Sequence, residues 1–190
     1  AKLNAIGTPD QPIVFTSSKD SAMRNLGDWG GVILLGRASL NRVGGVANIE
    51  GIASSSLTEY GGGASPNDND NSGTLKYVRI EFGGYIFNTD QEINGLTMGA
   101  VGRGTTIDYV QCSFINDDAF EWFGGTVNCA HLVSYRCLDD NWDTDNGYNG
   151  CVQFCLGVRD PNISDQSSGS TSEGFESDNL SKYLWSAGAV

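Results

Sequence analysis

A stretch that repeats itself at a fixed step constrains a fold more than any composition can, because equivalent residues must then occupy equivalent places. Ile107 to Gly125, IDYVQCSFINDDAFEWFGG, lies over Cys129 to Gly147, CAHLVSYRCLDDNWDTDNG, at a step of 22 residues. The step carries Asp117-Asp118 onto Asp139-Asp140, Phe120 onto Trp142, Glu121 onto Asp143, Val110 onto Leu132 and Gly125 onto Gly147. One more step lands Cys129 on Cys151 and Leu132 on Phe154. Upstream, TLKYVRIEF (Thr74 to Phe82) matches TIDYVQCSF (Thr106 to Phe114) at a longer step of 32, with YIFNTDQE lying between the two as an insertion. Insertions of that kind belong in the turns of a solenoid.

The segments between turns are short, β-branched or aromatic, and bounded by glycine: PIVFTS (Pro12 to Ser17), GVILLG (Gly31 to Gly36) and TLKYVRIEF. They read as strands. Helical periodicity is nearly absent, and Asn146-Gly147, the best tight-turn dipeptide, has no alternating strand after it, which disfavours an antiparallel meander. A period in the low twenties, with two or three strands and Gly or Asn at the corners, suits one coil of an all-β, right-handed, single-stranded parallel β-helix. A leucine-rich repeat would need a regular Leu/Asn frame, which this chain lacks. Coils are expected over residues 1–179, with 180–190 as a C-terminal extension or shortened coil, the whole being part of a longer helix. Coils stack about 4.8 Å apart, so equivalent side chains form ladders. Val110, Leu132 and Phe154 are expected in one inward ladder and Ile107, Cys129 and Cys151 in another, the last two within disulfide reach. Unpaired strand edges at the ends invite end-to-end self-association.

Charge narrows the partners. The 11 Lys and Arg face 23 Asp and Glu, for a net charge of -12. A nucleic-acid backbone or an anionic membrane surface would repel such a chain. No apolar run approaches the roughly 18 residues of a membrane helix, so no membrane insertion is expected. The five cysteines, 112, 129, 137, 151 and 155, include no C-x-x-C, and His131 is the single histidine, which argues against zinc and for buried thiols.

Several segments resemble a group of secreted and surface-displayed β-helix proteins of Bacteroidetes, many of them type IX secretion cargo. They are GDWGGVILLG (Gly27 to Gly36), IEG (Ile49 to Gly51), NSGTLKYVRIEFGG (Asn71 to Gly84), EINGLT (Glu92 to Thr97), DDAFEWFGGTVN (Asp117 to Asn128), DDNWDTDNGY (Asp139 to Tyr148) and GFESDN (Gly174 to Asn179). The resemblance implies an extracellular or outer-surface location and a right-handed helix, and no established activity. The five cysteines and the short sequence after Asn179 depart from that group's pattern. Asp20-Ser21-Ala22 matches the group's short O-glycosylation sequon, which marks Ser21, and Asn162 and Asn179 stand in N-glycosylation patterns.

The strongest chemical signal is the acidic set Asp117, Asp118, Glu121, Asp139, Asp140, Asp143 and Asp145, which the repeat stacks carboxylate on carboxylate. Like charges at coil spacing repel unless Ca²⁺ binds them, arginine pairs with them (Arg136 and Arg159 are nearby in sequence) or a proton is shared. Solvated or arginine-paired turn acids are the plain alternative to a Ca²⁺ site. Asn88-Thr89-Asp90 and Asp117-Asp118 resemble two acidic motifs of β-helical polygalacturonases, yet no Gly-His-Gly or Arg-x-Lys accompanies them. Trp29, Trp122, Trp142, Tyr60, Tyr85 and Tyr148 are expected to fill the core more than to form a sugar-stacking surface. The chain is therefore expected to be a surface-exposed or secreted scaffold with a structural, adhesive or binding role, Ca²⁺ being its one candidate cofactor. Its candidate partners are a surface polysaccharide or other surface proteins. A polysaccharide-processing enzyme or a carbohydrate-binding module is the alternative.

Overall fold

The structure is a computed structural model that describes residues 1–88, 91–165 and 171–179. Five coils follow one another along the chain. The first holds β1 (Leu3–Ile6), β2 (Ile13–Phe15) and β3 (Val32–Leu35). A long excursion follows, with the short antiparallel pair β4 (Ala47–Asn48) and β5 (Glu59–Tyr60). The second coil has β6 (Gly73–Glu81), a projecting antiparallel pair β7 (Ile86–Asn88) and β8 (Gln91–Glu92), and β9 (Leu96–Gly99). The third holds β10 (Thr106–Ser113) and β11 (Phe120–Phe123). The fourth holds β12 (Cys129–Ala130), β13 (Val133–Tyr135) and β14 (Asp143–Asp145). The fifth holds β15 (Val152–Gln153), β16 (Leu156–Val158) and β17 (Glu176–Ser177).

Every pairing between coils is parallel. One sheet runs β1-β6-β10-β12-β15, with β2 joining β6 and with β13 and β16 continuing β10; the other runs β3-β9-β11-β14-β17. Ile107 faces Cys129, Gln111 faces Val133 and Glu121 faces Asp143, each at the 22-residue step. Thr74 faces Thr106 at the 32-residue step, and the β7–β8 hairpin occupies the insertion that lengthens it. The architecture is thus a parallel β-helix.

The interior is apolar, with Leu75, Val78, Ile80, Leu96, Met98, Val110, Cys112, Phe120, Trp122 and Leu132 all fully buried. Each such side chain contributes roughly 1.5–3 kcal/mol by leaving water. From the second coil to the fifth, the first sheet is bent within its strands by a residue in the left-handed region: Tyr77, Tyr109, His131 and Phe154, with φ between 53° and 58°. A left-handed backbone costs an L-residue about 1–2 kcal/mol. The four rings stack into one column, with centroids 4.7, 4.3 and 5.4 Å apart. Stacking of this kind is worth about 0.5–1.5 kcal/mol per pair, enough to offset much of the backbone cost.

In the first sheet the 22-residue step lengthens by one residue after the fourth coil. Cys129 faces Val152 and Val133 faces Leu156, so the fifth coil follows the fourth at 23 residues and not at 22. Because side chains alternate, one added residue moves a strand's set to the opposite face. Val152 therefore takes the inward place expected for Cys151, which is exposed, and Phe154 is 75% exposed on the outer column and not in the ladder of Val110 and Leu132. All five cysteines are unbridged. Residues 180–190, Thr89 and Asp90, and part of the 162–172 loop lie outside the described residues.

Candidate metal centre

The second sheet turns one face into the core through Val32, Leu34, Leu96, Met98, Phe120 and Trp122, so the alternate residues point outward. Register lines those up as Ile33, Thr97, Glu121, Asp143 and Glu176 in one column and Leu35, Gly99, Phe123 and Asp145 in the next. The β3–β9–β11 end of these columns is covered, whereas Glu176 at the other end is exposed. The excursion after β3 lays Ile49 and Tyr60 over Phe123 and Ala100, with Ile33, Leu35, Leu40, Ala47 and Ile52 packed round them. Gly99 is required there by close approach, since a Cβ would come within 2.6 Å of the Tyr60 ring. In the first column Glu121 and Asp143 are only 6% and 9% exposed.

Within this covered strip the seven acids predicted as one set divide. Carboxylate oxygens of Asp118, Glu121 and Asp143 lie within 4.8 Å of one another, and so do those of Asp117, Asp118 and Asp139. Asp140 is turned away from them and groups with Glu173 and Glu176 of the fifth coil. Asp145 stands apart, with Arg42 of the excursion 3.9 Å away. Coil-to-coil register holds the first two groups together: the Asp140 backbone N–H donates to Asp118 Oδ1 at 2.9 Å, and Asp139 N–H donates to the Asp117 carbonyl. Glu173 and Glu176 escaped sequence reasoning because the loop after β16 stretches the Asp143-to-Glu176 step to 33 residues. The GFESDN segment was the available signal.

Burial sets the electrostatics. It pushes the Glu121 carboxyl well above the usual range, helped by the charges of Asp118 and Asp143. The Asp118 carboxyl rises for the same first reason, with Asp117 and Asp143 adding to it. Asp143 is raised to about 6, and Asp140 to about 8, in both cases chiefly by burial. The arginines expected to relieve this charge are engaged elsewhere. Arg136 pairs with Asp160, and Arg159 donates to the backbone carbonyls of Leu138, Asp139 and Glu173.

Neutral oxygens complete the strip. Asn94, 1% exposed, donates its Nδ2 to Glu121 Oε2, leaving Oδ1 buried without a hydrogen-bond partner. Thr97, 2% exposed and directly opposite Glu121 in register, has its Oγ1 in the same condition, as does Asp143 at Oδ1. Such orphaned acceptors cost about 1–3 kcal/mol each. The donor set of carboxylates, an amide carbonyl and a hydroxyl fits a hard cation such as Ca²⁺, which takes 6–8 oxygens at 2.3–2.6 Å.

Of the aromatic residues, Trp122 and Tyr60 are buried, and Trp29, Trp142 and Tyr148 pack against the core, as expected. Tyr85 is 48% exposed on the projecting hairpin. Ser21, in a short 3-10 turn, and Asn162 and Asn179 are exposed. A cleft of 480 Å³ between the excursion and the sheet is lined by Arg42, Glu50, Tyr60 and Phe123 but not by Asp118, Glu121 or Asp143. Among the described residues no helix is long and apolar enough to cross a membrane.

A family model described as a pectate-lyase-like β-helix domain matches residues 1–187. No curated protein and no solved structure matches the chain.

Proposed function

Since the chain belongs to the pectate-lyase-like β-helix domain family, we propose that it serves as a secreted or surface-exposed β-helix scaffold with a binding or structural role, stabilised by calcium, and not as an enzyme. The observation that carries this is the burial of Glu121 and Asp143. A glycosidase needs its two carboxyl groups flanking a sugar bond, with both in reach of the polymer. Here both acids are shut away from solvent, at 6% and 9% exposed, so a polymer chain would not reach either without the structure opening. The location outside the cell rests on the motif resemblance to surface-displayed β-helices, and the exposed Ser21 fits a glycosylated protein. Surface polysaccharide or neighbouring surface proteins are the partners such a scaffold would meet.

Family membership also favours polysaccharide processing, and the half-buried Asp117, Asp118 and Asp139 are the acids a substrate could approach. Incubation with polygalacturonate and other acidic polysaccharides, with Ca²⁺ present, separates the two. The scaffold reading expects no new unsaturated or reducing ends. Turnover that Asp118→Asn abolishes would overturn it.

A further inference from the structure

We infer that Asn94, Thr97, Asp118, Glu121 and Asp143 form a calcium-binding centre at the buried end of the acidic strip, with the neutral side chains as ligands alongside the carboxylates. The inference deepens the scaffold reading and rests on its view that these acids serve the fold. Three carboxylate oxygens within 4.8 Å of one another are at the separation that ligands of a single Ca²⁺ adopt. An acid cluster alone would not distinguish a cation from shared protons.

Thr97 does distinguish them. Its hydroxyl is the outward neighbour of Glu121 on the adjacent strand, is shut away from water, and satisfies no hydrogen bond. Asn94 presents the same picture from the turn before β9: its amide nitrogen is committed to Glu121 while its carbonyl oxygen has no donor. A proton shared between two carboxylates cannot also reach both neutral oxygens. A cation coordinated by the trio would satisfy all five side chains together. It would also join coils two, three and four at one point. Asp117 and Asp139, at the strip's outer end, are not needed for it.

The test is calcium titration calorimetry and thermal melting of the full chain, comparing the native protein with Thr97→Val, Glu121→Gln and Asp139→Asn. One Ca²⁺ per chain and a higher melting temperature in millimolar Ca²⁺ are expected. Thr97→Val removes a ligand but no hydrogen bond, so it should weaken calcium binding at least tenfold while melting in chelator no lower than the native protein. Asp139→Asn should bind calcium as the native protein does. Should Glu121→Gln fail to fold, Thr97→Val alone decides. Absence of binding heat and of any melting shift overturns the centre, and so does Thr97→Val binding with native affinity. Polysaccharide turnover together with the predicted Thr97→Val loss would refute the scaffold reading and leave the calcium centre standing.

Discussion

His131 lies flat on Tyr109, with ring centroids 4.3 Å apart and planes 6° from parallel, and both residues hold the same left-handed φ of 53°. Stacked rings and a bent backbone are one device repeated in successive coils. His131 Nδ1 is also 2.9 Å from Asp108 Oδ1, and Lys76 approaches the other oxygen of that carboxylate at 3.1 Å. Ion pairs this exposed contribute little, so the stack and the bend dominate.

That arrangement reverses the usual ranking of glycine and alanine in a strand. His131→Ala and His131→Gly both lose the ring and the contact to Asp108, but only alanine keeps the left-handed penalty of about 1–2 kcal/mol. Glycine's extra chain entropy, about 0.5–1 kcal/mol, recovers part of the difference. His131→Gly should therefore unfold at higher urea than His131→Ala, by up to about 1.5 kcal/mol. Alanine matching or exceeding glycine would show that the bend is not held in solution.

Asp140 gives a pH dependence of opposite sign to that of ordinary carboxylates. Its folded-state carboxyl is raised to about 8 by burial, from an ordinary 3.8. A raised value means that its stability is fully present below about pH 4 and is lost as pH rises toward 8. In chelator the melting temperature should decline across that window, and Asp140→Asn should flatten the decline. The Glu173 N–H, which donates to Asp140 Oδ1, can donate to asparagine as well. A native profile unchanged by Asp140→Asn would mean that this carboxyl is not buried as described.

Asp28 runs the other way. Lys19 Nζ at 2.5 Å, the Ser17 hydroxyl at 2.6 Å and the Asn25 backbone N–H all donate to it, and the carboxyl is held down at about 2, with Lys19 the largest cause. Stability from a depressed carboxyl is present above about pH 4 and is lost as pH falls toward 2. Asp28→Asn should remove that share of acid unfolding and lower the melting temperature near neutral pH. Melting curves between pH 2 and 7 would show both effects, and a variant as acid-sensitive as the native protein would contradict them.

How much of this was written in the sequence depends on where the step stays constant. Glu121 over Asp143 and Asp118 against Asp140 were legible because 22 residues separate each pair and nothing is inserted between them. Glu176 was hidden by the longer loop before it, and Tyr60 by an excursion that has no counterpart in other coils. The left-handed column was hidden for another reason: Tyr and Phe are not the residue types that mark such bends, and only the stacking of the rings in space makes the conformation affordable. Thr97 and Asn94 carry no chemical signature in sequence at all, and become meaningful once their oxygens are seen to be buried beside Glu121.

The single added residue before β15 has a consequence that thiol chemistry can read. At a uniform step of 22, Cys151 would sit inside the helix on Cys129, protected like it and able to bridge to it. With Val152 in that place, Cys151 is exposed while Cys112, Cys129 and Cys137 are 2% exposed or less. Burial also pushes the Cys129 thiol up to about 12 and raises those of Cys112 and Cys137, so that their reactive thiolates are scarce as well as inaccessible. A thiol reagent added to the native protein should label Cys151 quickly and half-buried Cys155 more slowly, and the other three only on unfolding. Peptide mapping after brief labelling would read this out. Equal protection of Cys151 and Cys129, or a disulfide mapped between them, would restore the uniform step and move Phe154 back into the core.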